Sequence, residues 1–98
     1  MKVYLSGPIT GLNMEQAKKN FEKAEVFAKE FLNAKEVVNP FKLPHNHDQS
    51  YVSYLLEDLQ ALSGCNAILM LPNWKKSKGA RIEHNFAKEF EIKIYLHP

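Results

Sequence analysis

The sequence predicts an α/β domain with one small parallel sheet of about four strands and helices on both of its faces, on three observations. Short apolar runs alternate with longer amphipathic stretches along the 98 residues, the pattern of βαβ units. The run 67–71, Ala-Ile-Leu-Met-Leu, is apolar throughout, as expected of a strand buried on both faces in the middle of a parallel sheet. Glycine or proline closes the runs, at Gly7-Pro8, Pro40, Gly64 and Pro72, so each is a short element bounded by a turn.

Taken in order, residues 2–6 carry Val3, Tyr4 and Leu5 and form the first strand, cut by Gly7-Pro8 and again by Gly11. Asn13 followed by Gln16 resembles a capping box, and Ala17, Phe21, Ala24, Ala28 and Phe31 mark one face of a long helix ending near Asn33. Val37 and Val38 make a second strand, 36–39, stopped by Pro40. Residues 40–50 are a loop in which Asp48 or Ser50 can cap the helix Tyr51–Ser63, closed by Gly64 in a left-handed conformation. After the strand 67–71 come a loop, 72–78, a third helix from Gly79 to about Phe90, and a last strand, 92–96.

With right-handed crossovers these elements give a flavodoxin- or Rossmann-like sheet of strand order 2-1-3-4, in one domain spanning 1–98. Ligands of such sheets bind beyond the carboxyl ends of the strands where the order reverses, here between strands one and three. The loops that meet there are 6–11 and 72–79.

Composition bounds the function. With 45% hydrophobic residues, a chain of this length is near the lower edge of what buries a self-sufficient core, so a homodimer or larger assembly is expected. The formal charge is only +2 and the basic residues are scattered apart from Lys75, Lys76 and Lys78, which argues against a nucleic-acid surface. Cys65 is the only cysteine; it cannot form an intrachain disulfide and reads as a structural thiol. No apolar run is long enough to span a bilayer, and the N-terminus lacks the basic-then-apolar pattern of a signal peptide, so a soluble cytoplasmic protein without a membrane partner is expected. His45, His47 and Asp48 have a spacing that could hold a metal, but no further ligands cluster nearby; a solvated loop is expected there, with no metal and no cofactor.

Glu83 is the residue that most needs explaining. It shares the stripe Ala80, Glu83, Ala87, Phe90, the face the third helix turns toward the sheet, where a lone carboxylate is costly unless something binds it. Near it, Ser77, Lys78 and Gly79 make a small polar approach to a helix N-terminus, where free N–H groups receive anions. Asp58 repeats the anomaly: the stripe Tyr51, Leu55, Asp58, Leu62 is apolar except for it, while Glu57 beside it faces solvent. Each acid taken alone also reads as a helix carboxylate without a task. Two on inward faces flanking one sheet edge suit nucleophilic and acid/base work at an acetal-like carbon.

The motifs Tyr4-Leu5-Ser6-Gly7-Pro8-Ile9-Thr10-Gly11, Asp58-Leu59 before Cys65-Asn66-Ala67, and Asn73-Trp74 through Ser77-Lys78-Gly79-Ala80-Arg81-Ile82-Glu83 resemble the nucleoside 2-deoxyribosyltransferase-like superfamily. Within it, they are similar to a small DUF4406-like group common in phages and prophages. The resemblance implies that Glu83 is the nucleophile on the anomeric carbon of a 2'-deoxyribose, that Asp58 assists proton transfer, and that Tyr4 orients the Glu. It also implies that Ser77, six residues before Glu83, contacts a 5'-phosphate, and that sites are completed across subunits. Where superfamily members commonly carry Asp before the third strand, this chain has Asn66.

Together these readings predict a domain that binds a nucleoside or nucleoside 5'-monophosphate and cleaves or exchanges its N-glycosidic bond. Glu83, Asp58 and Tyr4 are the catalytic candidates; Ser6, Gly7, Pro8, Ser77, Gly79 and Ala80 would line the sugar and phosphate pocket, and Trp74 would either stack on a base or cover the sheet edge. Arg81 is a candidate for a phosphate or subunit contact. Two alternatives stand beside this: a nucleotide-binding or sensing module without turnover, and a nucleic-acid-binding accessory protein using Lys75, Lys76 and Lys78.

Overall fold

A computed structural model describes residues 1–43 and 50–98. The His45, His47 and Asp48 readings lie outside those residues. Four parallel strands, β1 (Lys2–Ser6), β2 (Glu36–Val38), β3 (Ala67–Met70) and β4 (Lys93–Leu96), form one sheet in the order β2-β1-β3-β4. Three α-helices join them: α1 (Met14–Phe31), α2 (Tyr51–Ser63) and α3 (Lys78–Glu89). Among the described residues no helix is long and apolar enough to cross a membrane.

The chain moves from β1 outward to β2, then crosses back over β1 to β3 and on to β4. With crossovers of one hand, that reversal sends α1 to one face and α2 and α3 to the other. The strand pleat matches this division. Val3 and Leu5 of β1 pack with Phe21, Ala24 and Ala28 of α1, while Tyr4 packs with Leu62 of α2 and Ala80 and Ala87 of α3. β3 is wholly buried, with Ala67 and Leu69 in the first cluster and Ile68 and Met70 in the second.

Local chemistry explains the helix starts. The Asn13 carboxamide accepts from the N–H groups of Glu15 and Gln16, and the Ser50 hydroxyl accepts from Ser53 N–H. The Gln16 side chain, one turn on, donates its amide N–H to Asn20 Oδ1. Gly64 ends α2 at φ −90°, ψ 4°, so the expected left-handed cap is not used; its N–H reaches Ala61 and Leu62 directly. Three stripe assignments also change, Tyr51 being 51% exposed at the start of α2. Phe31 is 70% exposed and stacks on Phe27, and Phe90 is 65% exposed beside Phe86, because each lies where its helix has ended or is ending and has rotated off the core. Glu57 is half-buried rather than solvent-facing.

Asn66 sits at the amino end of the sheet, where its side chain accepts from Lys2 N–H and its backbone pairs with Lys2 and Lys93. It is a strand-end clamp on the edge opposite the carboxyl-end loops. Cys65 is buried and its thiol donates to Ala61 O at 3.4 Å, a structural position.

Candidate active site

Strand alternation turns Tyr4 and Ser6, two residues apart, to the α3 face of the sheet. On α3 the inward stripe is Ala80, Glu83 and Ala87, all buried. The two patterns meet at one carboxylate. Tyr4 Oη donates to Glu83 Oε2 at 2.7 Å and Ser6 Oγ donates to Oε1 at 2.6 Å, in a setting that leaves Glu83 only 6% exposed.

Burial is the largest influence on this acid and raises its pKa; the hydrogen bonds from Ser6 and Tyr4 pull it down, and the charge of Asp58 pushes it up again. The balance holds Glu83 at about 7, against an ordinary 4.5. A helix N-terminus could have favoured the ion, but Glu83 is the sixth helical residue, and that influence fades within the first turn. The Tyr4 phenol is held well above its ordinary value, first by burial and then by the negative charge of Glu83, so it stays a proton donor.

Glu83 and Asp58 both line a cavity of about 480 Å³ at the carboxyl edge of the sheet. Gly7, Ile9 and Thr10 from the loop after β1 form one wall, Ser77, Gly79 and Ala80 from the start of α3 another. The remaining wall is apolar and aromatic: Pro40 and Phe41 from the 3₁₀ turn Pro40–Lys42 after β2, with Tyr51, Tyr54 and Leu55 of α2. Sequence reading missed Phe41 and Tyr54. The signal for Phe41 was its place just past the carboxyl end of a strand, and for Tyr54 its position one turn before Asp58.

Two glycines permit close approach. A Cβ on Gly7 would lie 2.6 Å from Leu71 Cβ, and one on Gly79 would lie 2.8 Å from Tyr51 Oη. Ser77 caps α3, its Oγ accepting from Ala80 N–H at 3.3 Å. That N–H is therefore engaged by the cap, while Ala80 itself lines the cavity.

The other expected residues fall elsewhere. Ser6 lies beneath the cavity as a donor to Glu83 and does not line it; Pro8 faces a neighbouring cavity. Trp74 does not line the cavity either: it belongs to the 3₁₀ turn Trp74–Lys76 and stacks on His84 of α3 at 4.3 Å between ring centroids. Arg81 donates to Lys75 O at 2.8 Å, which ties that turn to α3. Among the described residues no group of three or more His, Cys, Asp or Glu side chains is placed to hold a metal.

A four-stranded parallel sheet of order 2-1-3-4, with two acids lining a cavity beside its switch point, is a Rossmann-like α/β fold. By sequence the chain belongs to the DUF4406 family, described as a domain of unknown function, whose model matches residues 1–96. Among solved structures it is similar to the 2-deoxyribosyltransferase of the psychrotolerant bacterium Bacillus psychrosaccharolyticus, a biocatalyst for the synthesis of antiviral and antitumoral nucleosides. The TM-score is 0.71 at 22% identity, over 98% of this chain and 71% of that one. No curated protein matches the sequence. At this identity the structural likeness speaks for the fold.

Proposed function

We propose that this domain binds a deoxynucleoside or its 5'-monophosphate and cleaves or exchanges the N-glycosidic bond, with Glu83 as nucleophile. The observation that carries the reading is the Glu83 carboxylate, gripped by Tyr4 and Ser6 on the inner wall of a cavity that Asp58 also lines. A buried acid held by two donors and open to a cavity has a fixed direction of attack.

A Glu83 oxygen bonds to C1' as the C1'–N bond breaks, and that bond's electron pair goes to the departing base, which takes a proton by way of Asp58. The glycosyl ester formed on Glu83 is then opened by water or by a second base attacking C1', which releases the carboxylate. Two displacements retain the anomeric configuration. Tyr4 and Ser6 position Glu83. The aromatic wall of Phe41, Tyr51 and Tyr54 suits a planar base, and Ser77, whose hydroxyl accepts from Ala80, still has its own proton to donate to a 5'-phosphate.

The test is incubation with a panel of deoxynucleosides and their 5'-monophosphates, followed by chromatography for free or exchanged base. Release of base that Glu83→Gln abolishes supports the reading. Tight binding with no turnover across the panel would instead make the domain a nucleotide-binding module.

A further inference from the structure

A second cavity, about 580 Å³, lies against the other side of the two carboxyl-end loops. Thr10 and Ser77 line both cavities, so they form a shared wall. Lysines are the charged side chains among its lining, with His97 and Pro98 also on its wall. Lys23 of α1 and Lys76 of the 3₁₀ turn face it, with the amides of Gln16, Asn20 and Asn73, and none of the lining side chains is acidic. Neither lysine has an ion-pair partner among the described residues, although three other lysines do. Asn73 adopts a left-handed conformation, φ 67°, and its side chain makes no capping hydrogen bond.

Uncompensated cations on separate elements around one concavity, interleaved with amide donors, are suited to a multiply charged anion. The shared wall says where that anion begins. Ser77 lines both cavities; with a nucleoside seated over Glu83 and its 5'-phosphate at the Ser77 hydroxyl, as proposed above, a longer phosphate chain would pass from the first cavity into the second. We propose that the second cavity is a polyphosphate subsite, and that the preferred ligand is a nucleoside 5'-diphosphate or triphosphate with its sugar in the first cavity and its terminal phosphates between Lys23 and Lys76. This rests on the nucleoside reading of the first cavity.

The experiment is calorimetric titration of wild type, Lys23→Ala and Lys76→Ala with a deoxynucleoside, its mono-, di- and triphosphate, and inorganic pyrophosphate. The diphosphate binds wild type about tenfold or more tightly than the monophosphate, as one or two charge-assisted hydrogen bonds allow. Each lysine variant loses that gain and leaves deoxynucleoside affinity unchanged. Pyrophosphate displaces the diphosphate but not the deoxynucleoside.

Equal affinity for mono- and diphosphate, or a gain that survives both substitutions, overturns the proposal. So does pyrophosphate binding that needs both lysines while nucleotides show no preference, since the cavity then serves a separate anion. If the diphosphate gain and its lysine dependence are found but no base is ever released, the subsite stands and the catalytic reading falls.

Discussion

Glu83 carries opposite demands from stability and from chemistry. Its pKa in the fold, about 7, exceeds the ordinary 4.5, so between those pH values the folded chain holds a proton that the unfolded chain has lost. Stability from this group is therefore full below about pH 4.5 and declines as pH rises to about 7, by roughly 3 kcal/mol in all. Glu83→Gln removes the titration while keeping size and polarity. Thermal melts of wild type and variant should diverge in the variant's favour from pH 5 to pH 8; parallel curves would mean Glu83 does not titrate in that window. Nucleophilic attack needs the ion, so turnover should rise with pH through about 7 and fall by orders of magnitude in Glu83→Gln. Ser6→Ala and Tyr4→Phe each remove a hydrogen bond that lowers the Glu83 pKa, and both should move the rising limb of the pH–rate profile to higher pH. A lower maximum with an unmoved limb would leave them a packing role only.

At the scale of elements, the start of α3 and the loop after β1 have little freedom to change. Ser77 has two tasks, the cap on Ala80 N–H and the proposed phosphate contact, and substitutions separate them. Ser77→Ala loses the cap and should cost about 1 kcal/mol of stability. Ser77→Asp keeps a capping oxygen but places a negative charge at the cavity, so it should melt near wild type and lose monophosphate binding far more than nucleoside binding. Equal loss for both ligands would show that Ser77 does not read phosphate. Gly7→Ala drives a Cβ to 2.6 Å from Leu71 Cβ, a rigid part of the core, and should destabilise by about 1–3 kcal/mol in denaturant titration. Gly79→Ala meets only the far end of half-exposed Tyr51, which can swing away. Its helix gains up to about 1 kcal/mol from the better propensity, so stability should hold while ligand affinity changes with the displaced ring.

Over the whole molecule, several large apolar side chains are exposed, and α2 carries a group of them. Leu12 and Met14 at the start of α1 and Tyr51, Val52 and Leu56 of α2 are exposed, with Val52 and Leu56 one turn apart on one face. Apolar side chains grouped in this way favour association. A homodimer formed through α2 is the expected state, detectable by sedimentation at micromolar concentration. Leu56→Asp, at a side chain 60% exposed, should give a folded monomer without loss of helix content. A wild type that sediments as a monomer across the range would remove α2 as an interface.

The strand order, the element types and the inward positions of Glu83 and Asp58 were legible in the sequence, because they follow from periodicity, turn residues and the handedness of βαβ crossovers, all of which act locally or by topology. Helix ends were less legible: whether Phe31 and Phe90 stay on the core depends on where packing lets the last turn unwind. Trp74 shows the same limit, since its choice between a cavity and His84 is made by a residue ten positions away on another element. The protonation of Glu83 lay beyond sequence altogether. Tyr4 and Ser6 are 79 and 77 residues from it, and only the packed sheet sets the depth of burial against the reach of two hydroxyls. That competition between desolvation and hydrogen bonding is decided over a few ångströms of three-dimensional space, which no spacing along the chain encodes.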